Sequence, residues 1–209
     1  LEEYLVPTQF GEDEFIEKKS RFIGRLWPVE TEEAALEKIQ EMKKKHYDAT
    51  HNCWAYIIRD GAVRFSDDGE PGGTAGMPML QVLQREGLFN CVCVVTRYFG
   101  GILLGAGGLV RAYTQGAVIA LKAAQVVIME PSQRYLCEVG YPLWDRVTHA
   151  LKTMPVQLVG SEFTTAVGFT LLVREKDAEQ MIADLIRLTD ARFEYLLEDE
   201  SYEAWNTDE

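Results

Sequence analysis

The sequence predicts an α+β protein made of two domains. The first observation is the length of 209 residues, which exceeds the roughly 100–150 residues of the commonest single domains. The second is a break in the apolar pattern at Glu130-Pro131-Ser132, which places a domain boundary between residues 131 and 132. The third is the order of elements beyond that break, β-α-β-β-α-β, which is a recurrent α+β pattern.

The N-terminal domain, residues 1–131, is predicted to begin with two strands and a helix. Aromatic and β-branched residues between Glu14 and Val29 indicate the two strands, with a kink near Ser20. Thr31 is a predicted N-cap, because its hydroxyl can accept a hydrogen bond from a backbone N–H. Apolar residues then recur at helical spacing as far as the basic run 43–45, which suits the C-terminal end of a helix.

The rest of this domain is predicted to contain a hairpin, a buried strand and two more helices. Residues 52–59 and 62–65 form the hairpin around Asp60-Gly61. A turn-rich segment, 66–73, precedes Thr74, which is a predicted N-cap of the next helix. Residues 91–96 are apolar at almost every position, so we expect a strand buried on both faces. A helix follows the glycine-rich segment that ends at Gly108.

The C-terminal domain, residues 132–209, is predicted to be ferredoxin-like. Its six elements are a strand at 135–141, a helix at 143–154, strands at 156–163 and 166–174, a helix at 178–188 and a strand at 192–197. The order of these elements is the ferredoxin-like order. The tail from Glu198 is acidic, and we expect it to fray.

Composition excludes some classes of function. The formal net charge is −12, and an acidic chain is not attracted as a whole to nucleic-acid phosphates. No apolar run approaches the roughly 18 residues of a membrane span, and the first ten residues lack a signal-peptide pattern. The four cysteines form no C-x-x-C pair and lie in apolar runs. We therefore expect a cytoplasmic protein with reduced thiols.

Glycines concentrate in two loops, 69–73 and 100–108. Such density indicates left-handed backbone or a close approach of another group. Because the second loop lies between a buried strand and a helix, amides of Gly105, Gly107 and Gly108 could point at an anion. The loop matches neither common nucleotide-binding pattern. Tight packing of the strand against the helix, with no ligand, is the alternative explanation.

Arg97 emerges at the carboxyl end of the predicted buried strand. Ligands usually bind at that edge of open α/β sheets. A desolvated guanidinium needs an anionic partner, so Arg97 either pairs with a carboxylate of the protein or binds one from a ligand. The internal candidates are Asp67, Asp68 and Glu70.

No metal site or catalytic group is predicted. The carboxylates of segment 67–70 suit a hard cation, but their spacing is not that of an EF-hand. His46 and His51 belong to no zinc-binding pattern. Ser20 and Ser66 lack the sequence context of a serine nucleophile. The interpretation is therefore a non-catalytic protein without a cofactor, and an enzyme of unknown reaction stays open.

A basic strand is the candidate for contact with RNA. By strand alternation Lys19, Arg21 and Arg25 share one face, and Phe22, Tyr47 and Tyr98 are aromatic residues of the kind that stacks on bases. A solvated strand face without a ligand is the alternative explanation.

Four blocks of the sequence resemble the IMPACT/YigZ family. They are KKSRFI (18–23), HNCWAY (51–56), FSDDGEPGGTAGMPML (65–80) and VVTRYFGGILLGAGGLVRAY (94–113). The resemblance implies an N-terminal fold like the second domain of small-subunit ribosomal protein five, with helices on one face of a sheet, and a ferredoxin-like C-terminal domain. Domains four and five of elongation factor G share that pair of folds.

The resemblance also implies a link to translation. Eukaryotic family members block activation of a kinase that phosphorylates an initiation factor, by competing for its co-activator, and bacterial members have no settled activity. We expect a regulator that binds RNA, the ribosome or a translation-factor protein through the Gly-rich cleft. The alternative is an enzyme that holds a phosphate or nucleotide there, with Asp67, Asp68 or Glu70 holding a cation or acting as a base.

The residues predicted to bind the ligand or RNA come from both glycine loops and the basic strand. They are Lys19, Arg21, His51, Asp67, Asp68, Glu70, Arg97, Tyr98, Gly100, Gly101, Gly105, Gly107, Gly108 and Arg111.

Overall fold

A computed structural model describes residues 2–206 and contains ten strands and five helices in that range. The first nine elements are β1 (Tyr4–Pro7), β2 (Gly11–Glu17), β3 (Ser20–Pro28), α1 (Glu32–Lys45), β4 (His51–Ile57), β5 (Val63–Ser66), α2 (Gly76–Arg85), β6 (Cys91–Tyr98) and α3 (Gly105–Ala124). The last six are β7 (Val126–Val139), α4 (Tyr141–Leu151), β8 (Val156–Phe163), β9 (Val167–Arg174), α5 (Glu175–Leu188) and β10 (Phe193–Trp205).

The N-terminal unit, Tyr4–Ile128, contains an antiparallel sheet in the order β2-β3-β6-β4-β5. The central strand β6 is buried at its first seven positions, as its apolar sequence predicts. Cys93 and Val95 pack into a core with α2 and α3, whereas Val92 and Val94 pack into a second core with α1. Helices therefore cover both faces of this sheet, and the expectation of helices on one face is wrong. The reason is that both faces of β6 are apolar.

One predicted helix cap of this unit is confirmed and the other is wrong. Thr31 is the N-cap of α1, and its hydroxyl oxygen accepts a hydrogen bond of 3.1 Å from Ala34 N. Thr74 does not cap α2; its hydroxyl donates to the carbonyl oxygen of Pro71 at 2.6 Å. The carboxylate of Asp67 takes the place at the start of α2, where it accepts hydrogen bonds from the backbone.

The C-terminal unit, Met129–Trp205, has the ferredoxin-like topology that the element order predicts. Its strands lie in the order β10-β7-β9-β8. Both α4 and α5 pack against the same face of β7 and β9, in a core that includes Leu143, Met181 and Leu171. The fold class, α+β with two domains, is confirmed.

Two local predictions for this unit differ from the structure. The segment Glu130-Pro131-Ser132 does not interrupt the chain's secondary structure, because β7 runs through it. The predicted boundary between residues 131 and 132 thus falls inside a strand, and it stays a prediction. The expectation that the tail frays from Glu198 is wrong as far as residue 205, because β10 extends to Trp205. This indole is buried and donates to Ser132 Oγ at 3.0 Å.

All four cysteines are buried and unpaired. Burial raises the pKa of the Cys91 and Cys137 thiols to about 12, and it also raises the pKa of Cys53 and Cys93. The thiols are therefore held in the protonated form. Across residues 2–206, no helix is long and apolar enough to cross a membrane.

Candidate functional site

The carboxyl end of β6 lies between the first residues of β3 and β4, and this places the candidate residues together. Arg97 is opposite Phe22 of β3 and His51 of β4, and Tyr98 is opposite Arg21. The chain then runs through segment 99–104 into α3. The two glycine loops and the guanidinium predicted to meet at this sheet edge do lie there.

Arg97 pairs with Glu70, one of the three carboxylates proposed from the sequence. Its Nη1 donates to Glu70 Oε1 at 2.8 Å, and the two side chains are 6% and 2% exposed. Tyr113 donates to the same oxygen at 2.6 Å, and Arg97 Nη2 lies 3.4 Å from Ser20 Oγ. Arg97 Nε is buried and has no hydrogen-bond partner within the part of the chain described. The guanidinium is thus neutralised but keeps one unsatisfied donor.

Both carboxylate oxygens of Asp67 accept hydrogen bonds from backbone N–H groups. Its Oδ1 accepts from Ala75 N at 3.1 Å and from Gly76 N at 2.8 Å, and its Oδ2 accepts from Gly73 N at 3.0 Å. Burial acts to raise the pKa of Asp67, but these three N–H donors outweigh burial and lower it. Asp67 therefore neutralises the positive end of α2.

Asp68 is also engaged within the protein. Its Oδ2 accepts from Asn52 N at 2.8 Å, and its Oδ1 lies 3.2 Å from Lys43 Nζ. Among the described residues, no group of three or more His, Cys, Asp or Glu side chains is arranged to hold a metal ion.

His51 contacts the loop 66–73 through both ring nitrogens. Its Nδ1 lies 2.8 Å from the carbonyl oxygen of Asp68, and because a carbonyl only accepts, this nitrogen carries a proton. Its Nε2 lies 3.5 Å from Glu70 Oε2. The side-chain hydrogen bonds from Arg97 and Tyr113 both go to the other oxygen, Oε1. Glu70 Oε2 is consequently less engaged than its neighbour.

The predicted basic strand face does not form. Lys19 lies in the turn between β2 and β3 with a φ of 64°, so it does not share the strand face. Arg21 lies 2.6 Å from Glu14, and the side chain of Arg25 is 4% exposed and paired with Glu12. Both acids belong to β2, which pairs with β3, so the cations of this strand are neutralised by the neighbouring strand.

The predicted aromatic stacking surface is also largely absent. Phe22 is fully buried in the core, and the half-buried Tyr98 is engaged by its hydroxyl, which lies 2.7 Å from His46 Nδ1 and donates to Asp48 Oδ1 at 3.1 Å. Burial, followed by the positive charge of Arg25, lowers the pKa of His46. Tyr47 alone of the three is exposed.

Three glycines of the second loop are required by the backbone. A Cβ at Gly100 would lie 2.0 Å from Lys19 O, so this glycine lets the loop pack on the β2–β3 turn, where Gly100 N donates to Ser20 Oγ at 3.2 Å. Gly105 has a φ of 75°, which side chains rarely adopt. Gly101, with a φ of 88°, is a similar case.

Gly107 is not explained by folding, whereas a Cβ at Gly108 would lie 3.1 Å from Leu104 Cβ. Both glycines lie in the first turn of α3 with ordinary φ, and a Cβ at Gly107 would meet only Arg111 Nη1, at 3.4 Å. Glycine in a helix costs about 1 kcal/mol relative to alanine. The pair leaves the helix start bare, and no side chain within residues 2–206 caps it. Arg111 is exposed beside it, and we find no ion pair between Arg111 and any other described side chain.

A pocket of about 340 Å³ opens at this helix start, and we call it the α3 pocket. Most of its wall is made of apolar side chains, and its polar residues include His51, Glu70 and Arg97. Its lining residues are Thr50, His51, Glu70, Pro71, Arg97, Phe99, Leu103, Leu104, Gly105, Ala106 and Leu109. The apolar wall was not predicted from the sequence. Its signal was the run Ile102-Leu103-Leu104 inside a glycine loop, where polar residues are usual.

Comparison with known proteins places each unit. The Impact N-terminal domain matches residues 18–121, and a domain of unknown function, DUF1949, matches residues 137–192. The chain is 39% identical to the IMPACT family member YvyE of Bacillus subtilis, across 92% of this chain and 89% of YvyE. It is 38% identical to the IMPACT family member YigZ of Escherichia coli, across 72% of this chain and 76% of YigZ.

More distant relatives share the N-terminal unit. Protein IMPACT of Oryctolagus cuniculus is 37% identical across 43% of this chain and 30% of that protein.

A crystal structure described as that of a hypothetical protein is 32% identical, with a TM-score of 0.59, and covers 95% of this chain and 98% of its own. These matches define a two-domain α+β protein with an Impact N-terminal domain. The chain belongs to the IMPACT family, as the four sequence blocks predicted.

Proposed function

We propose that this protein is a non-catalytic regulator linked to translation, and that its α3 pocket binds an anionic group of a protein partner. The link to translation rests on the family resemblance. One observation carries the choice of site: the bare first turn of α3 opens into a pocket that also holds Arg97. Backbone N–H groups at a helix start attract anions.

The chemistry of the pocket favours binding over catalysis. Glu70, Arg97 and Tyr113 are locked to one another by short hydrogen bonds, and burial raises the pKa of the Tyr113 hydroxyl. The Cys53 thiol is buried and its pKa is also raised, so it is a poor nucleophile at neutral pH. Glu70 is held in place by two donors on Oε1, and the Tyr113 and Cys53 protons are retained, so none of these side chains is arranged as a base or nucleophile.

The distribution of charge favours a protein partner over RNA. Binding to a phosphate backbone depends on unpaired cations, and Arg21, Arg25 and Lys43 each face a carboxylate of this chain. The formal net charge of −12 opposes long-range attraction to RNA. The carboxylates that would hold a cation for a nucleotide, Asp67 and Asp68, are occupied by the backbone and by Lys43.

The test measures binding of the full chain to purified ribosomes, purified translation factors and protein-free ribosomal RNA. Gly107→Glu places a carboxylate at the bare helix turn and should weaken binding to the protein-containing target about tenfold or more. Gly160→Glu is the matched control, because a Cβ at Gly160 meets nothing within 4 Å. Equal binding to the protein-free RNA, or an unchanged affinity of the Gly107→Glu variant, contradicts the proposal.

A further inference from the structure

The charge of the α3 pocket suits a singly charged anion. Arg97 and Glu70 neutralise each other at 2.8 Å, so the remaining attraction comes from the helix start, which carries about half a positive charge, and from the exposed Arg111 beside it. Strong phosphate sites add several unpaired arginine or lysine side chains to such a helix end, whereas Arg111 is one exposed side chain and does not line the pocket. A carboxylate needs less compensation than a doubly charged phosphate, and this pocket supplies the smaller amount.

A buried donor gives a second, independent sign of a ligand. The Arg97 side chain is 6% exposed and lines the pocket, and its Nε finds no acceptor among residues 2–206. Leaving a buried donor unsatisfied costs about 1–3 kcal/mol. Because the atom itself is covered, an acceptor brought by a ligand would remove that cost after a rotation of the guanidinium toward the pocket.

The walls of the pocket suit an apolar side chain next to the carboxylate. Leu104 and Leu109 form part of the wall near the helix start, and Pro71 lies on the other loop. At the rim, Leu103 is 80% exposed and Phe99 is 45% exposed. Large apolar side chains held at the mouth of a pocket are typical of sites that bind apolar groups.

The carboxylate oxygen Glu70 Oε2 suits an N–H group of a ligand. Glu70 Oε2 lies on the side of the carboxylate that faces His51, away from the hydrogen bonds that Oε1 accepts. A carboxylate oxygen is an acceptor only. The pocket therefore presents donors at α3, an acceptor at Glu70 and apolar walls around both.

These three features together match the last residue of a peptide. We infer that the α3 pocket recognises the free carboxyl terminus of a protein partner whose last side chain is apolar. The carboxylate binds the amides of the first turn of α3, the apolar side chain lies against Leu104 and Leu109, and the last backbone N–H donates to Glu70. This inference rests on the proposed function, because it names the group that the partner contributes.

The experiment uses the full chain and fluorescein-labelled hexapeptides with five Gly or Ser residues before the last position. That position is Leu, Val, Phe, Lys or Asp, and each peptide is made both as the free acid and as the amide. Free acids ending in Leu, Val or Phe should bind. Their amides should bind about tenfold more weakly or worse, because a charge-assisted hydrogen bond is lost. N-acetyl-leucine and inorganic phosphate are tested as competitors.

Two variants locate the peptide. Gly107→Glu should abolish the difference between acid and amide, and it should fold, since glutamate favours both a helix and its first turn. Leu103→Ala should weaken the Leu and Phe peptides more than the Lys peptide. Gly160→Glu should change neither the difference between acid and amide nor the affinity for the Leu and Phe peptides.

Each outcome decides between the inference and the proposed function. Equal affinity for acids and amides, or displacement by phosphate but not by N-acetyl-leucine, overturns the inference. If no peptide binds while Gly107→Glu still weakens binding to ribosomes or translation factors, the inference falls and the proposed function stands. If Gly107→Glu affects neither measurement, both fall.

Discussion

The starts of α2 and α3 lie in the same unit, but their backbone N–H groups differ in whether a side chain satisfies them. The start of α2 is buried, and the carboxylate of Asp67 accepts three backbone hydrogen bonds in the loop before it. The start of α3 is exposed and uncapped by any side chain of the described residues. Because each helix start can bind an anion, one site is filled from within and the other has no acceptor from a described side chain.

The largest effect on stability is expected from removing the Asp67 carboxylate at the start of α2. Asp67→Ala removes the acceptor of two buried N–H groups, those of Ala75 and Gly76, and should lower the free energy of unfolding by about 2–4 kcal/mol. Urea denaturation measures the loss. Asp68→Ala is the control at the adjacent position: Asp68 accepts from one backbone N–H, pairs with Lys43 and has a φ of 43°, so its loss should be about 1–2 kcal/mol. Equal losses would contradict the assignment of the cap to Asp67.

Adding a methyl group at each helix start should give changes of opposite sign. A Cβ at Gly76 would lie 2.8 Å from the Ser66 carbonyl, so Gly76→Ala should destabilise the protein by about 1–3 kcal/mol. Gly107→Ala meets no such contact and should stabilise it by about 0.5–1 kcal/mol. The thermal midpoints of both variants measure the signs. Destabilisation by Gly107→Ala would mean that folding requires this glycine.

The smallest effect on stability is expected from protonating Asp67, because a protonated carboxyl group keeps a carbonyl oxygen that accepts hydrogen bonds. The pKa of Asp67 is lowered from its ordinary value of 3.8 in the folded protein. Its contribution to stability is therefore complete above that value and is lost as the pH falls through the lower, folded pKa. The difference in unfolding free energy between the wild type and Asp67→Asn, measured from pH 6 to pH 2, should shrink in this acidic range. A difference independent of pH would show that the hydrogen bonds do not depend on the charge.

The place of the candidate site was predictable from the sequence, because it depends on order along the chain. An apolar run followed by Arg97 and a glycine loop puts the guanidinium at the end of a buried strand, and the structure confirms that position. The choice of Glu70 over Asp67 and Asp68 was not predictable. It depends on how the loop 66–73 folds over the start of α2, which is a tertiary feature.

The chemistry of the basic positions could not be predicted for a related reason. Strand alternation correctly places Arg21 and Arg25 on one face, but their partners, Glu14 and Glu12, come from β2. Pairing depends on the register of two strands, and the sequence gives that register only once the turn is known. The turn itself uses Lys18 and Lys19 with positive φ, where glycine or asparagine would be the usual signal.

The burial of every cysteine has a practical consequence for studying this molecule. Thiol-reactive dyes need an accessible thiolate, and the native thiols are both covered and protonated. A cysteine introduced at the exposed position of Gly72, where a Cβ meets nothing within 4 Å, would react alone. Site-specific fluorescent labelling next to the α3 pocket therefore needs one substitution and no removal of native residues.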